Sequence, residues 1–218
     1  MKKIITVFII FLISSVVFAQ ANKKSQVTNQ EQQEKVYLKT ITESTKAIEA
    51  NPKNETAFIN RAKAKYFLKD YSGALTDYDS VIALKPNEYI LYLYRGAVYI
   101  SSEYYTKAIE DFNTVISLNP KYAEGYYYRG IAKIFNAIYW HDTFTMLYES
   151  NMSSLNKSRE EGLALTSYQQ ISEIYRKNKI KADTDYYKNK KDGCTDLSKA
   201  GELGSADAYK AIQTYCQN

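Results

Sequence analysis

Side chains that do chemistry are scarce in this chain. Its 218 residues include one histidine, His141, two cysteines, Cys194 and Cys216, and one tryptophan, Trp140. A serine or cysteine nucleophile activated by imidazole would need that histidine beside it, held by an orienting acid. Asp142 is its neighbour along the chain, which is not placement in a fold. With no second histidine and no close cysteine pair, a zinc-type ligand set is missing as well. The expectation is no enzyme, no catalytic residue, no metal and no cofactor, with His141 half-buried at a helix start beside Trp140. Glycine and proline are also few, at eight and three, in keeping with a chain that is mostly helix.

Long apolar runs are almost absent too. The one that exists, Ile4 to Phe18, follows Lys2-Lys3 and precedes small-residue cleavage options after Ala19 or Ala21. A charged start, an apolar core and small residues make a secretory signal, and the run is shorter than the ~20 residues of a spanning helix. Residues 1–21 are therefore expected to be a signal peptide. No cysteine near the cleavage site marks a lipid anchor, so the mature chain is expected to be periplasmic or secreted, without stable membrane insertion. The formal charge of +5 includes Lys2 and Lys3; losing both leaves +3, which is no nucleic-acid footprint. The Lys-rich stretch from Arg176 to Lys191 is broken by Asp183 and Asp185 and reads as a solvated face.

What is there repeats. Pro52, Pro86 and Pro120 are 34 residues apart, each closing a helix-like run, and proline stops a helix because it lacks the N–H and clashes with the preceding turn. The same period stacks Arg61, Arg95 and Arg129; Ala62, Gly96 and Gly130; Asp77 and Asp111; Tyr78 and Phe112. Small residues at fixed places let two antiparallel helices approach closely, and aromatics fill the space beside them. The shared period of the arginine and aspartate columns predicts a repeated ion pair. Twenty-two tyrosines suit such a stack, since the ring packs while the hydroxyl stays wet.

Phe58, Ala62, Tyr71, Ala74, Tyr78 and Pro86, then Tyr92, Gly96, Tyr99, Tyr105, Ala108, Phe112, Val115 and Pro120 give the chain a pattern that resembles the tetratricopeptide repeat. The resemblance implies an all-α, right-handed solenoid of helix hairpins, here about three to four units with an insertion and a C-terminal capping helix. Residues 22–34 read as a polar linker, 35–138 as the repeats, 139–185 as an insertion in the last repeat, and 186–218 as that repeat's second helix, resuming near Tyr187, plus the cap. Asp196 and Leu197 fall in the columns of Asp111 and Phe112, which is the ground for calling the last repeat split.

Two readings of the cysteines stand at this level. In a hairpin turning at Gly204-Ser205, Cys194 and Cys216 come level to within about half a turn on the faces that must meet, which favours a disulfide. The other reading is two buried thiols. The resemblance also implies a concave groove lined by the first helix of each unit: Ile59, Asn60, Lys63 and Tyr66, then Tyr94, then Tyr127, Tyr128 and Phe135. Exposed aromatic patches of this kind mark partner sites, so the expected partner is a protein or peptide. The competing expectation is a self-closed solenoid, or a structural envelope component, whose groove the insertion fills.

Overall fold

The structure is a computed structural model that describes residues 29–161 and 165–217. The expected signal peptide and its cleavage sites lie outside the described residues. Eight helices and no strand occur among those residues, and the chain divides into two compact units, Met1–Leu84 and Lys85–Asn218.

The first unit contains α1 (29–50), α2 (Glu55–Phe67) and α3 (Tyr71–Leu84). α2 starts where the Asn54 side chain accepts the Ala57 N–H at 3.1 Å, satisfying one of the donors a helix start leaves open. It ends in a turn centred on Lys69, whose φ of 62° places a non-glycine residue in the left-handed region. The N–H of Asp70 bonds to the Lys65 carbonyl and that of Lys69 to the Tyr66 carbonyl, both at 2.9 Å, so the strained residue closes the helix end. Ala57, Phe58, Ala62 and Ala64 of α2 and Ala74, Tyr78, Val81 and Ile82 of α3 are buried. The sequence-based boundary of α1 needs correction: the expected linker ran to residue 34, yet the helix is in place by residue 29. Residues 29–36 are exposed all round. Gln, Glu and Lys are strong helix formers, so this stretch extends the helix without needing a face to bury.

The second unit holds α4 (Tyr89–Ser101), α5 (Tyr105–Leu118), α6 (Ala123–Glu160), α7 (Leu165–Glu202) and α8 (Ala206–Tyr215). The α4–α5 turn repeats the earlier one: Glu103 has φ 64°, and Tyr104 N–H reaches the Tyr99 carbonyl at 2.8 Å. The same closure recurs between α7 and α8, where Ser205 N–H reaches the Ala200 carbonyl at 3.0 Å. There the left-handed residue is Gly204, φ 98°, which has no Cβ to strain.

α6 and α7 are each 38 residues long, against 13 and 14 for α4 and α5. The expected insertion is thus built as the far halves of two continuous helices packed on each other. α7 does not resume near Tyr187; it runs unbroken from Leu165. Close approach at the near end explains why the hairpin can be so tight. A Cβ built on Gly130 would lie 2.8 Å from the Gly193 carbonyl oxygen, and one on Gly193 would lie 2.7 Å from Ile134 Cγ1. In the shorter hairpin, Gly96 leaves the same kind of room for the Phe112 ring, 2.6 Å from a hypothetical Cβ. Two buried clusters follow: Leu93, Ala108, Phe112, Val115 and Ala132, and, nearer the C-terminus, Ile131, Ile134, Leu197 and Ala211. No described helix is long and apolar enough to cross a membrane.

Candidate functional site

The arginine and aspartate columns meet as the period predicts. Arg61 binds Asp77 with two nearly parallel bonds, Nε–Oδ2 at 3.0 Å and Nη2–Oδ1 at 2.6 Å. Arg95 binds Asp111 at the same two distances, and Arg129 binds Asp196 at 2.9 and 2.6 Å. All three carboxylates are buried, a position a charge holds only when paired and hydrogen-bonded. These residues position the helices; they are framework, and the face beside them is the candidate site. Lys65 and Lys133, each four residues after its arginine, add a second cation to Asp77 and Asp196 at 2.8 and 2.7 Å. Sequence reasoning missed both lysines, although the four-residue offset that puts them on the arginine's helix face was visible.

On α2, the expected groove residue Asn60 is exposed, while Ile59, Lys63 and Tyr66 are half-buried. Tyr66 lies in an aromatic group with Phe67 and Tyr71, ring centroids 5.4 and 5.9 Å away. In the second unit, α4 presents Ile90, Tyr94, Ala97, Ile100 and Ser101 as a continuous half-buried strip. Tyr94 belongs to a tyrosine group with Tyr89, Tyr122 and Tyr128. Burial first, then the nearby Glu124 carboxylate, then those three phenols hold the Tyr122 hydroxyl above its ordinary pKa. Tyr128 stacks on Phe112 at 5.7 Å and meets Tyr127 edge-on at 5.1 Å, so it is half core and half surface.

Tyr127 and Phe135 sit differently. Both pack against the cluster that α8 completes, with Phe135 edge-on to Tyr215 at 5.7 Å. The Tyr127 hydroxyl is also pushed up, by burial first and then by Asp207 on α8. Part of the surface of Tyr127 and Phe135 is therefore covered by α8. α8 is tied back to α7: Cys194 and Cys216 form a disulfide with Cα atoms 5.9 Å apart.

His141 lies inside α6 rather than at a helix start. Its Nε2 is 3.0 Å from Asp183 Oδ1 and its ring lies tilted against that of Tyr186, centroids 4.6 Å apart. Lys179 joins this group, donating to Asp183 Oδ1 at 2.7 Å and to Thr145 Oγ1 at 2.8 Å. The Lys179 bond, then the nearby charges and His141, hold the Asp183 carboxyl below the ordinary aspartate range. The five side chains bridge the two long helices. Among the described residues no group of three or more His, Cys, Asp or Glu is placed to hold a metal ion.

Helix hairpins with a fixed Arg–Asp crossing and a 34-residue step define a helical-repeat protein. The family model described as "Tetratricopeptide repeat" matches residues 91–122, the segment holding most of α4 and all of α5, so the chain carries a tetratricopeptide repeat there. No curated protein matches it. Among solved structures it is similar to the first repeat domain of Spaghetti (RPAP3) bound to an HSP90 peptide, with 29% identity over 42% of this chain and 73% of that one, TM-score 0.38. A tetratricopeptide repeat protein from Parabacteroides merdae is 19% identical over 84% of this chain and 78% of its own, TM-score 0.44. MamA from Desulfovibrio magneticus is 18% identical over 78% and 94%, TM-score 0.39.

Proposed function

We propose that the chain is a non-enzymatic adaptor, outside the cytoplasm, that binds a protein or peptide segment through the first helices of its repeats. The observation that carries this reading is the α4 strip. Tyr94 and its neighbours remain half-exposed, whereas the second helix of the same hairpin buries Ala108, Asp111, Phe112 and Val115 inside. Tyrosines that are held in place by packing yet reach solvent lose little freedom on binding, which is why such rings dominate interface energetics. Tyr127 and Phe135 are secondary in this reading, because α8 takes up part of their surface.

Partner capture with the full chain followed by Tyr94→Ala tests the site. The variant should weaken the captured partner by at least about 1 kcal/mol with helicity unchanged by circular dichroism; unchanged affinity removes the α4 face. Export has its own test. N-terminal sequencing of protein from the native cells should find Gln20 or Asn22 first, and an intact Met1 end would refute it.

A further inference from the structure

A cavity of about 490 Å³ lies in the second unit, apart from the Tyr94 strip, where the α4–α5 turn and the start of α5 face the middle of α6. Its walls carry Glu103, Tyr104, Lys107, Glu110, Tyr139 and Trp140. Three of the rings are open to solvent: Tyr104 is 57% exposed, Tyr139 43% and Trp140 60%. Large apolar rings left this exposed around one concavity are unusual for a surface with only structural duties. Their orientation is set from beneath. Trp140 Nε1 donates to Asn136 Oδ1 at 3.2 Å, Tyr139 packs edge-on to Trp140 at 5.6 Å and to Tyr105 at 6.0 Å, and Tyr104 contacts Tyr99 at 6.4 Å.

The charge of the cleft says what it would take. Glu103 and Glu110 have no ion-pair partner among the described residues, and the Tyr105 hydroxyl, raised by burial and then by Glu103, registers that carboxylate's field. One cation already uses the wall: Lys107 holds its ammonium 5.6 Å from the Tyr99 ring and 5.5 Å from the Tyr104 ring. The face of an aromatic ring attracts cations through its quadrupole, and the chain's own lysine shows that this wall receives one.

We propose that this cleft is a second binding site, taking an arginine or lysine side chain of a peptide against the Tyr104, Tyr139 and Trp140 rings with Glu103 and Glu110 as its counter-ions. The site does not depend on the α4 strip. Lys107 acts as an internal competitor, covering one ring until a guest with more contacts arrives. The guanidinium fits better than the ammonium, because its flat, weakly hydrated face stacks on a ring while its edge reaches a carboxylate.

Trp140 is the only tryptophan, so its selectively excited emission reports on the cleft in the full chain. The probe is a short acetylated and amidated peptide carrying two arginines; the control replaces both by citrulline, which keeps the shape and loses the charge. The arginine peptide should change the emission saturably and the citrulline peptide should not. Glu110→Gln should weaken binding by about threefold, the range of an exposed ion pair, and Lys107→Ala should tighten it. Equal response to both peptides, no saturable response, or unchanged affinity in a Glu103→Gln/Glu110→Gln double variant would overturn the proposal. Tyr94→Ala should leave the titration as it was; if it abolishes the response, the peptide binds the α4 strip and the cleft is not its site.

Discussion

The α4–α5 hairpin and the α6–α7 hairpin make the same crossing by different routes. In the first, arginine and aspartate are 16 residues apart and a turn follows the crossing closely; in the second they are 67 apart and the helices run on. Yet the two bonds of the pair differ by no more than 0.1 Å between hairpins, and glycine sits at the close approach in both. What defines a repeat here is the crossing, with its small residue, aromatic or leucine, and ion pair. The length of chain beyond it is free, because those far residues only have to pair with each other.

If the crossing and its staple hold the second hairpin, the largest effect should come from the staple. Replacing Cys194 and Cys216 together by serine, which opens a loop of 22 residues, should cost roughly 3 kcal/mol in the chain-entropy account. Hydrogen exchange should speed in α8 and around Tyr127 while the α2–α3 hairpin keeps its protection. A melt indifferent to reductant would break this claim.

The next effect compares the crossings directly. Arg95→Ala and Arg129→Ala should each lower stability by about 1–3 kcal/mol, since each leaves a buried aspartate without its bidentate partner. Similar losses despite the different sequence separations would sharpen the comparison, and a loss confined to one hairpin would defeat it. Glycine offers a subtler version within α7. Gly193→Ala should destabilise by about 1–2 kcal/mol, the clash with Ile134 and the Gly130 carbonyl outweighing the helix-propensity gain of about 1 kcal/mol. Gly201→Ala, whose Cβ would meet nothing nearer than the Tyr209 ring at 3.5 Å, should keep that gain; a stabilised Gly193→Ala would show that the crossing has slack.

The smallest effect belongs to the far part of the hairpin. Asp183 has its carboxyl held down by Lys179 and His141, so its folded pKa is below the unfolded one. Its contribution is present above the ordinary aspartate range and is lost as pH falls through the lower folded value. Exchange protection around residues 179–186 should persist to mildly acidic pH and fade below the usual carboxylate range. Asp183→Asn should remove that pH dependence while leaving the crossing at Arg129 intact.

The repeat was legible because its causes are local and periodic. Proline stops, small residues at crossings and the Arg–Asp columns each recur at a fixed step, and Asp196 could be placed in its column across a long gap for that reason. The rest depends on contacts the period does not carry. Residues 29–34 are too polar to advertise a buried face, and their helix rests on propensity alone. The cover over Tyr127 and Phe135 depends on where the Gly204 turn sends α8, which no repeat column encodes. The cleft around Tyr104 and Trp140 arises because α6 continues past the point where a regular unit would turn, bringing Tyr139 and Trp140 opposite the start of α5.

The Gly130–Gly193 contact also makes the long hairpin a lever. From Gly130 to Glu160 the helix climbs 30 residues, about 45 Å at ~1.5 Å per residue, while at the pivot each glycine faces the other's carbonyl oxygen with Ile134 and Leu197 beside them. A tilt of about 5° there would swing the far end by about 4 Å over that length.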